Sequence, residues 1–230
     1  WELEEVEKCD PESESDKFCE NFYQQTTRRQ NDGKYVVRLP FKENFPNEIF
    51  LGPSRNMAWA QYNRMEKTLE KTPDIKIEYA KVLQEYIQLE HMEPIIHCEP
   101  KKEKLFSFYL PHHAVIRPES KSTKVRVVFN ASKRTCSGFS LNDVLHQGPT
   151  LQTDLMKIVL GWRNYKYVFT GDIQKMYRQI LVHKSDRKYQ QILFRTEDKN
   201  PLEAFQLKTV TFGVNCALLG RTWPSGWARW

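Results

Sequence analysis

Nowhere in the 230 residues is there a run of about twenty apolar side chains, the length a membrane-spanning helix needs. No basic segment followed by an apolar stretch opens the sequence, so no secretory signal is expected in it. Cysteine is present but never as a C-x-x-C pair: Cys9, Cys19, Cys98, Cys136 and Cys216 are odd in number and widely spaced. That pattern argues against a disulfide framework or a zinc site, and for free thiols in a reducing compartment. An intracellular, cytoplasmic protein with no membrane partner is the expectation. With 40% apolar and 28% charged residues, the chain is neither a disordered polymer, a coiled coil nor a collagen-like repeat. It is long enough to bury a core in one or two domains. It begins on Trp1, and Trp223, Trp227 and Trp230 crowd its last eight residues, so both ends are read as cut.

Charge is unevenly placed. Residues 1–33 hold ten acidic and four basic side chains, a balance of −6. The whole chain is +6, so the remaining body carries +12. The acidic, Ser-containing stretch reads as a linker or lightly ordered arm. A basic body points to a polyanionic partner, of which nucleic acid is the commonest, or only to a well-solvated surface.

Turn and periodicity signals divide the rest. Asn31-Asp32-Gly33 precedes a short alternating strand over 34–39, ended by Pro40. Ser54 is placed to cap a helix with Ala58, Tyr62, Met65 and Leu69 on one stripe. Thr72-Pro73 starts a second, with Ile75, Tyr79, Val82 and Tyr86. The simplest expectation is that these two helices pack against each other. Strands are expected over 105–110, 114–116, 125–129, 165–171, 186–194 and 205–210, and a helix over 154–162. The strands at 114–116 and 125–129 should form a hairpin with a basic tip. Elements mix without strict βαβ alternation, which predicts an α+β fold. The expected divisions are an acidic leader (1–33), a strand and two-helix connecting region (34–104), a main α+β unit (105–217) and a Trp-rich tail (218–230).

One segment has a chemical peculiarity. In Tyr167-Val168-Phe169-Thr170-Gly171-Asp172-Ile173-Gln174-Lys175-Met176-Tyr177, an apolar strand would deliver a single carboxylate at its end. Asp172 there is either a cap for the next turn or an anchor for a hard divalent cation. His112-His113 and His97-Cys98 are set aside as ligands, because adjacent strand residues point to opposite faces.

Several words occur in a telling order: 109–115 (YLPHHAV), 124–132 (KVRVVFNAS), 140–143 (SLND), 148–150 (GPT), 170–180 (TGDIQKMYRQI) and 209–213 (TVTFG). In this order they closely resemble the fingers and first palm half of the reverse transcriptase in BEL/Pao long-terminal-repeat retrotransposon polyproteins. Residues 35–40 and the two helices are similar to the segment between protease and polymerase in that family. The resemblance spans roughly residues 1 to 217, and implies an incomplete right-hand polymerase.

The resemblance also implies roles. The family's chemistry is two-metal nucleotidyl transfer with Mg²⁺, acting on an RNA or DNA template–primer and deoxynucleoside triphosphates. Asp172 matches the first metal-binding aspartate, with the Ile173 main-chain carbonyl as a second ligand. Tyr177 matches the aromatic under the sugar that selects against a 2′ hydroxyl; the alternative is a packed turn aromatic. Arg126 matches the arginine that grips the triphosphate. Lys121 and Lys124 at the hairpin tip are helpers, or merely solvated. Phe212 and Gly213 match the turn lining the nucleotide pocket, where glycine allows close backbone approach; an ordinary turn glycine reads almost as well.

Two departures matter. Asn130 stands where the family usually has Asp. After Cys216-Ala217 the sequence reads LLGRTWPSGWARW, and no adjacent Asp-Asp pair occurs anywhere in the chain, so the Tyr-x-Asp-Asp hairpin is missing. The expectation is a reverse-transcriptase fragment that is inactive alone. The alternatives are a non-catalytic nucleic-acid binder and a translated fragment with no selected activity.

Overall fold

The structure is a computed structural model describing residues 13–46, 50–95, 107–117, 119, 124–149, 154–171, 173–197 and 200–216. The first helix, α1 (Glu14–Thr26), begins inside the span read as an acidic arm. Ser13 and Asp16 form a reciprocal capping box, which satisfies two otherwise free N–H groups. Cys19 and Tyr23, four residues apart on one face, are buried in the main core. The negative composition hid this helix, because its acidic residues sit in the first turn and on the wet face.

Helix α1 leads into β1 (Arg28–Arg29) and β2 (Tyr35–Val37), paired antiparallel around the Asn31–Gly33 turn. Helix α2 (Arg55–Leu69) buries Ala58, Tyr62 and Leu69. Its N-cap Ser54 does not cap: the Ser54 Oγ instead accepts the Tyr109 N–H at 2.8 Å, tying the helix start to the strand region. Helix α3 (Pro73–Gln88) buries Tyr79, Leu83 and Tyr86, with proline in its first turn. The expected helix pair is in contact. Helix α2 also packs on the strands His112–Ile116 and Gln191–Phe194, and α3 on Val125–Phe129, so the two helices cover the strands side by side.

After β3 (Met92–Pro94) comes the hairpin of β4 (His112–Ile116) and β5 (Val125–Phe129), antiparallel from His112↔Phe129 to Ile116↔Val125. The strand expected at 105–110 lies partly outside the described residues, and the rest makes only an isolated bridge, Tyr109 to Gln191. Helix α4 (Leu155–Trp162) forms as expected, capped by the Asp154 carboxylate on the Met156 N–H. None of its residues is buried.

The chain closes with β6 (Ile180–Val182), β7 (Gln191–Phe194) and β8 (Glu203–Leu207). Strand β6 pairs parallel with β2, making the sheet β1-β2-β6; β8 lies between β3 and β7 in a second, antiparallel sheet. The expected strand over 186–194 is a 3₁₀ turn (Arg187–Tyr189) followed by β7. The Asp186 carboxylate explains the break. It accepts two bonds from Arg38 (2.6 and 3.0 Å) and the Leu39 N–H (3.0 Å), which fixes the turn to the end of β2. No strand forms over 165–171, where every residue is exposed.

The described residues mix helices with small sheets, a mixed α and β architecture. One apolar core joins Cys19 and Tyr23 of α1, Tyr79, Leu83 and Tyr86 of α3, Phe129 of β5, and Ile180 and Val182 of β6. The connecting helices and the hairpin therefore share one interior. Among the described residues no helix is long and apolar enough to cross a membrane.

Candidate nucleotide and nucleic-acid site

Alternation along β5 sorts its side chains. Val125, Val127 and Phe129 are buried, whereas Arg126 is exposed on the opposite face. Val115 is opposite Arg126 in register, and the Arg117 N–H donates to the Lys124 carbonyl at 2.8 Å one step further out. Directly opposed residues share a face, so Arg117, Lys124 and Arg126 project from one side of the hairpin. Arg117 was not singled out by sequence reasoning; the register of the hairpin is what groups it with the other two. Lys121, at the tip, lies outside the described residues.

The inner face is held by His112, which is 2% exposed. Its Nε2 lies 2.9 Å from the Leu193 carbonyl, which can only accept, so Nε2 carries the proton. Nδ1 then accepts the Tyr79 hydroxyl. Burial pushes the imidazole down to about 4, against a smaller opposing effect of the Leu193 carbonyl; His113 adds to the fall. His112 is thus a neutral bridge between α3 and the sheets. His113 points to the other face.

At the inner end of β5 the backbone is approached by the 211–215 turn. Gly213 has φ +97°, and a Cβ there would lie 2.0 Å from the Phe129 carbonyl oxygen. Only glycine fits, and the close approach is to the protein's own strand. Asn142 holds this turn. Its Nδ2 donates to the Gly213 carbonyl (3.0 Å) and the Ser132 Oγ (2.8 Å), and its Oδ1 accepts the Asn215 N–H (2.9 Å). Asn142 had no role assigned from the sequence. Its amide is buried beside Ser140 and Asp143, whose side chains bond each other, and nothing in the sequence alone marks it.

Phe212, 53% exposed, packs on Tyr177 with ring centroids 4.2 Å apart. Tyr177 itself is 7% exposed, so Phe212 presents most of the aromatic surface at this point. Tyr177 sits in a 3₁₀ turn (Met176–Gln179) entered through Lys175 in the left-handed region, φ 54° and ψ 38°. Tyr177, Phe212 and Gly213 are therefore brought together, with Phe129 against Gly213. Arg126 is three residues back along β5, roughly 10 Å at strand rise.

Ile173 is 43% exposed. Asp172 lies outside the described residues. Among the described residues, no three His, Cys, Asp or Glu side chains gather into a group able to hold a metal ion.

Neither any protein-family model nor any curated protein matches the chain.

Proposed function

We propose that the chain corresponds to the fingers and first palm half of a BEL/Pao-type reverse transcriptase, and that in this form it binds nucleic acid without extending it. The reading rests on one observation above others: segments far apart in sequence, at Phe129, Tyr177 and Phe212-Gly213, meet at one place beside a strand that carries Arg126. In this reading Arg126, Arg117 and Lys124 supply phosphate contacts, and Tyr177 with Phe212 supplies an aromatic wall for a deoxyribose. By the resemblance, Asp172 and the Ile173 carbonyl would be metal ligands in a complete enzyme of that family. No extension is expected from these 230 residues by themselves, because they hold no adjacent Asp-Asp pair to complete a two-ion centre.

The test is primer extension on an annealed template–primer with Mg²⁺ or Mn²⁺, beside a binding titration at several salt concentrations. Extension should stay at background for wild type and Asp172→Asn alike. Binding should fall steeply as salt rises, as counterion release requires. Arg126→Ala should weaken it. Robust synthesis abolished by Asp172→Asn would overturn the inactive reading; salt-independent binding would overturn the nucleic-acid reading.

A further inference from the structure

A non-glycine residue in the left-handed region is strained by contact between its Cβ and the following carbonyl, and needs outside support. Lys175 has that conformation at the entrance to the turn carrying Tyr177. Its support comes from a distant part of the chain. The Lys175 ammonium pairs with the Glu85 carboxylate, near the C-terminal end of α3. The second oxygen of Glu85 lies 3.8 Å from the Arg178 guanidinium, and Arg178 lies over the ring of Tyr86, 4.4 Å from its centroid. The Arg178 N–H closes the turn onto the Lys175 carbonyl at 2.8 Å. Tyr86 also meets Phe129 edge-on, the residue whose carbonyl Gly213 presses against. One turn of α3 thus grips both walls around the Tyr177–Phe212 pair.

We propose that Glu85 is a positioning residue for Tyr177: by pinning Lys175 and Arg178 to α3, it fixes where the Tyr177–Phe212 pair sits. The meaning of that position rests on the reverse-transcriptase reading; the pinning does not. Lys175 and Arg178 are only 26% and 15% exposed at the side chain, so the grip is shielded from salt more than a surface pair would be.

The test uses the full chain as wild type, Glu85→Gln, and Glu85→Gln combined with Lys175→Gly. Glycine enters the left-handed region without strain, so it should replace the support that Glu85 gives. Hydrogen–deuterium exchange at amides 176–180 should quicken about fivefold in Glu85→Gln, with the β7 amides unchanged, and return to near wild type in the double variant. Calorimetric titration with dATP and with ATP in Mg²⁺ buffer gives a second readout. The preference for the deoxynucleotide should shrink in Glu85→Gln and recover in the double variant. No local quickening, equal quickening in β7, or no recovery with glycine overturns the proposal. A wild-type chain with no preference for dATP would instead overturn the role given to Tyr177, and the exchange results would still decide the role of Glu85.

Discussion

Acidification from pH 7 to pH 5 should cost this protein about 2 kcal/mol of folding stability through His112 alone. In the folded chain the imidazole is neutral, fully enclosed, and held down to about 4 chiefly by burial. Unfolded, it returns to its ordinary value near 6.5. The unfolded state therefore binds a proton through this interval while the folded state does not. Stability is intact above about 6.5, falls as pH drops, and levels off below about 4, with a total loss of about 3 kcal/mol. A little over half of it develops between pH 7 and 5. The groups facing the ring are the Tyr79 and Tyr62 side chains, Phe129 and the Leu193 carbonyl, with His113 as the titratable neighbour; none offers a negative charge. The assay is urea unfolding followed by tryptophan fluorescence at pH 7, 6 and 5, for wild type and His112→Gln. Glutamine keeps one donor and one acceptor but cannot titrate. It starts less stable, yet its curve should be flatter by about 2 kcal/mol over the interval. Other titrating groups, including His91, which burial also pushes down to about 4, are common to both proteins and cancel. Parallel pH curves for the two proteins would refute the assignment.

Gly213→Ala should destabilise the fold by about 2–4 kcal/mol in urea unfolding, because the new Cβ meets the Phe129 carbonyl at 2.0 Å in a left-handed backbone; an unchanged midpoint would refute it. Asp186→Asn should cost about 2 kcal/mol by the same measurement, since it weakens the forked Arg38 pair and the Leu39 N–H bond at a 3% exposed side chain. Arg38 is 39% exposed, which keeps the loss below that of a fully buried pair. Leu155→Ser with Phe169→Ser should lower binding of an environment-sensitive dye while moving stability by no more than about 0.5 kcal/mol. Those side chains are 71% and 92% exposed and hold nothing in place.

What could be read from the sequence was what local physics decides. The hairpin, the start of α3 and the existence of α2 and α4 follow from alternation, an early proline and apolar stripes, and these need no knowledge of distant residues. Long-range partners decided the rest. Ser54 looked like a cap but its hydroxyl serves Tyr109, 55 residues away. The 186–194 run looked like one strand, yet Asp186 is claimed by Arg38 from 148 residues upstream. Helix α1 was hidden because its acidic content outweighed the two buried positions that fix it, Cys19 and Tyr23. For the candidate site, Arg126, Tyr177 and Gly213 were named through the family resemblance. The residues that hold them, Asn142 and Glu85, were not, because an amide or a carboxylate on a polar stretch becomes informative only once its partners are known.

The segment from 154 to 173 shows the same principle from the other side. Its residues have the β-branched and aromatic character of a strand over 165–171 and the apolar stripe of a core helix over 155–162, and both readings are locally sound. A strand is stabilised by cross-strand pairs and an apolar helix by burial of its stripe, so each needs a neighbour. Helix α4 forms through its Asp154 cap, which is local, but buries nothing. The 165–171 stretch has no local device of that kind, and among the described residues it pairs with no strand. Tyr165, Tyr167 and Phe169 stay 71%, 72% and 92% exposed. Amphipathic composition without a neighbour thus yields a helix where a cap exists and an irregular chain where none does. In this stretch, apolar and β-branched composition is not enough by itself to make a strand.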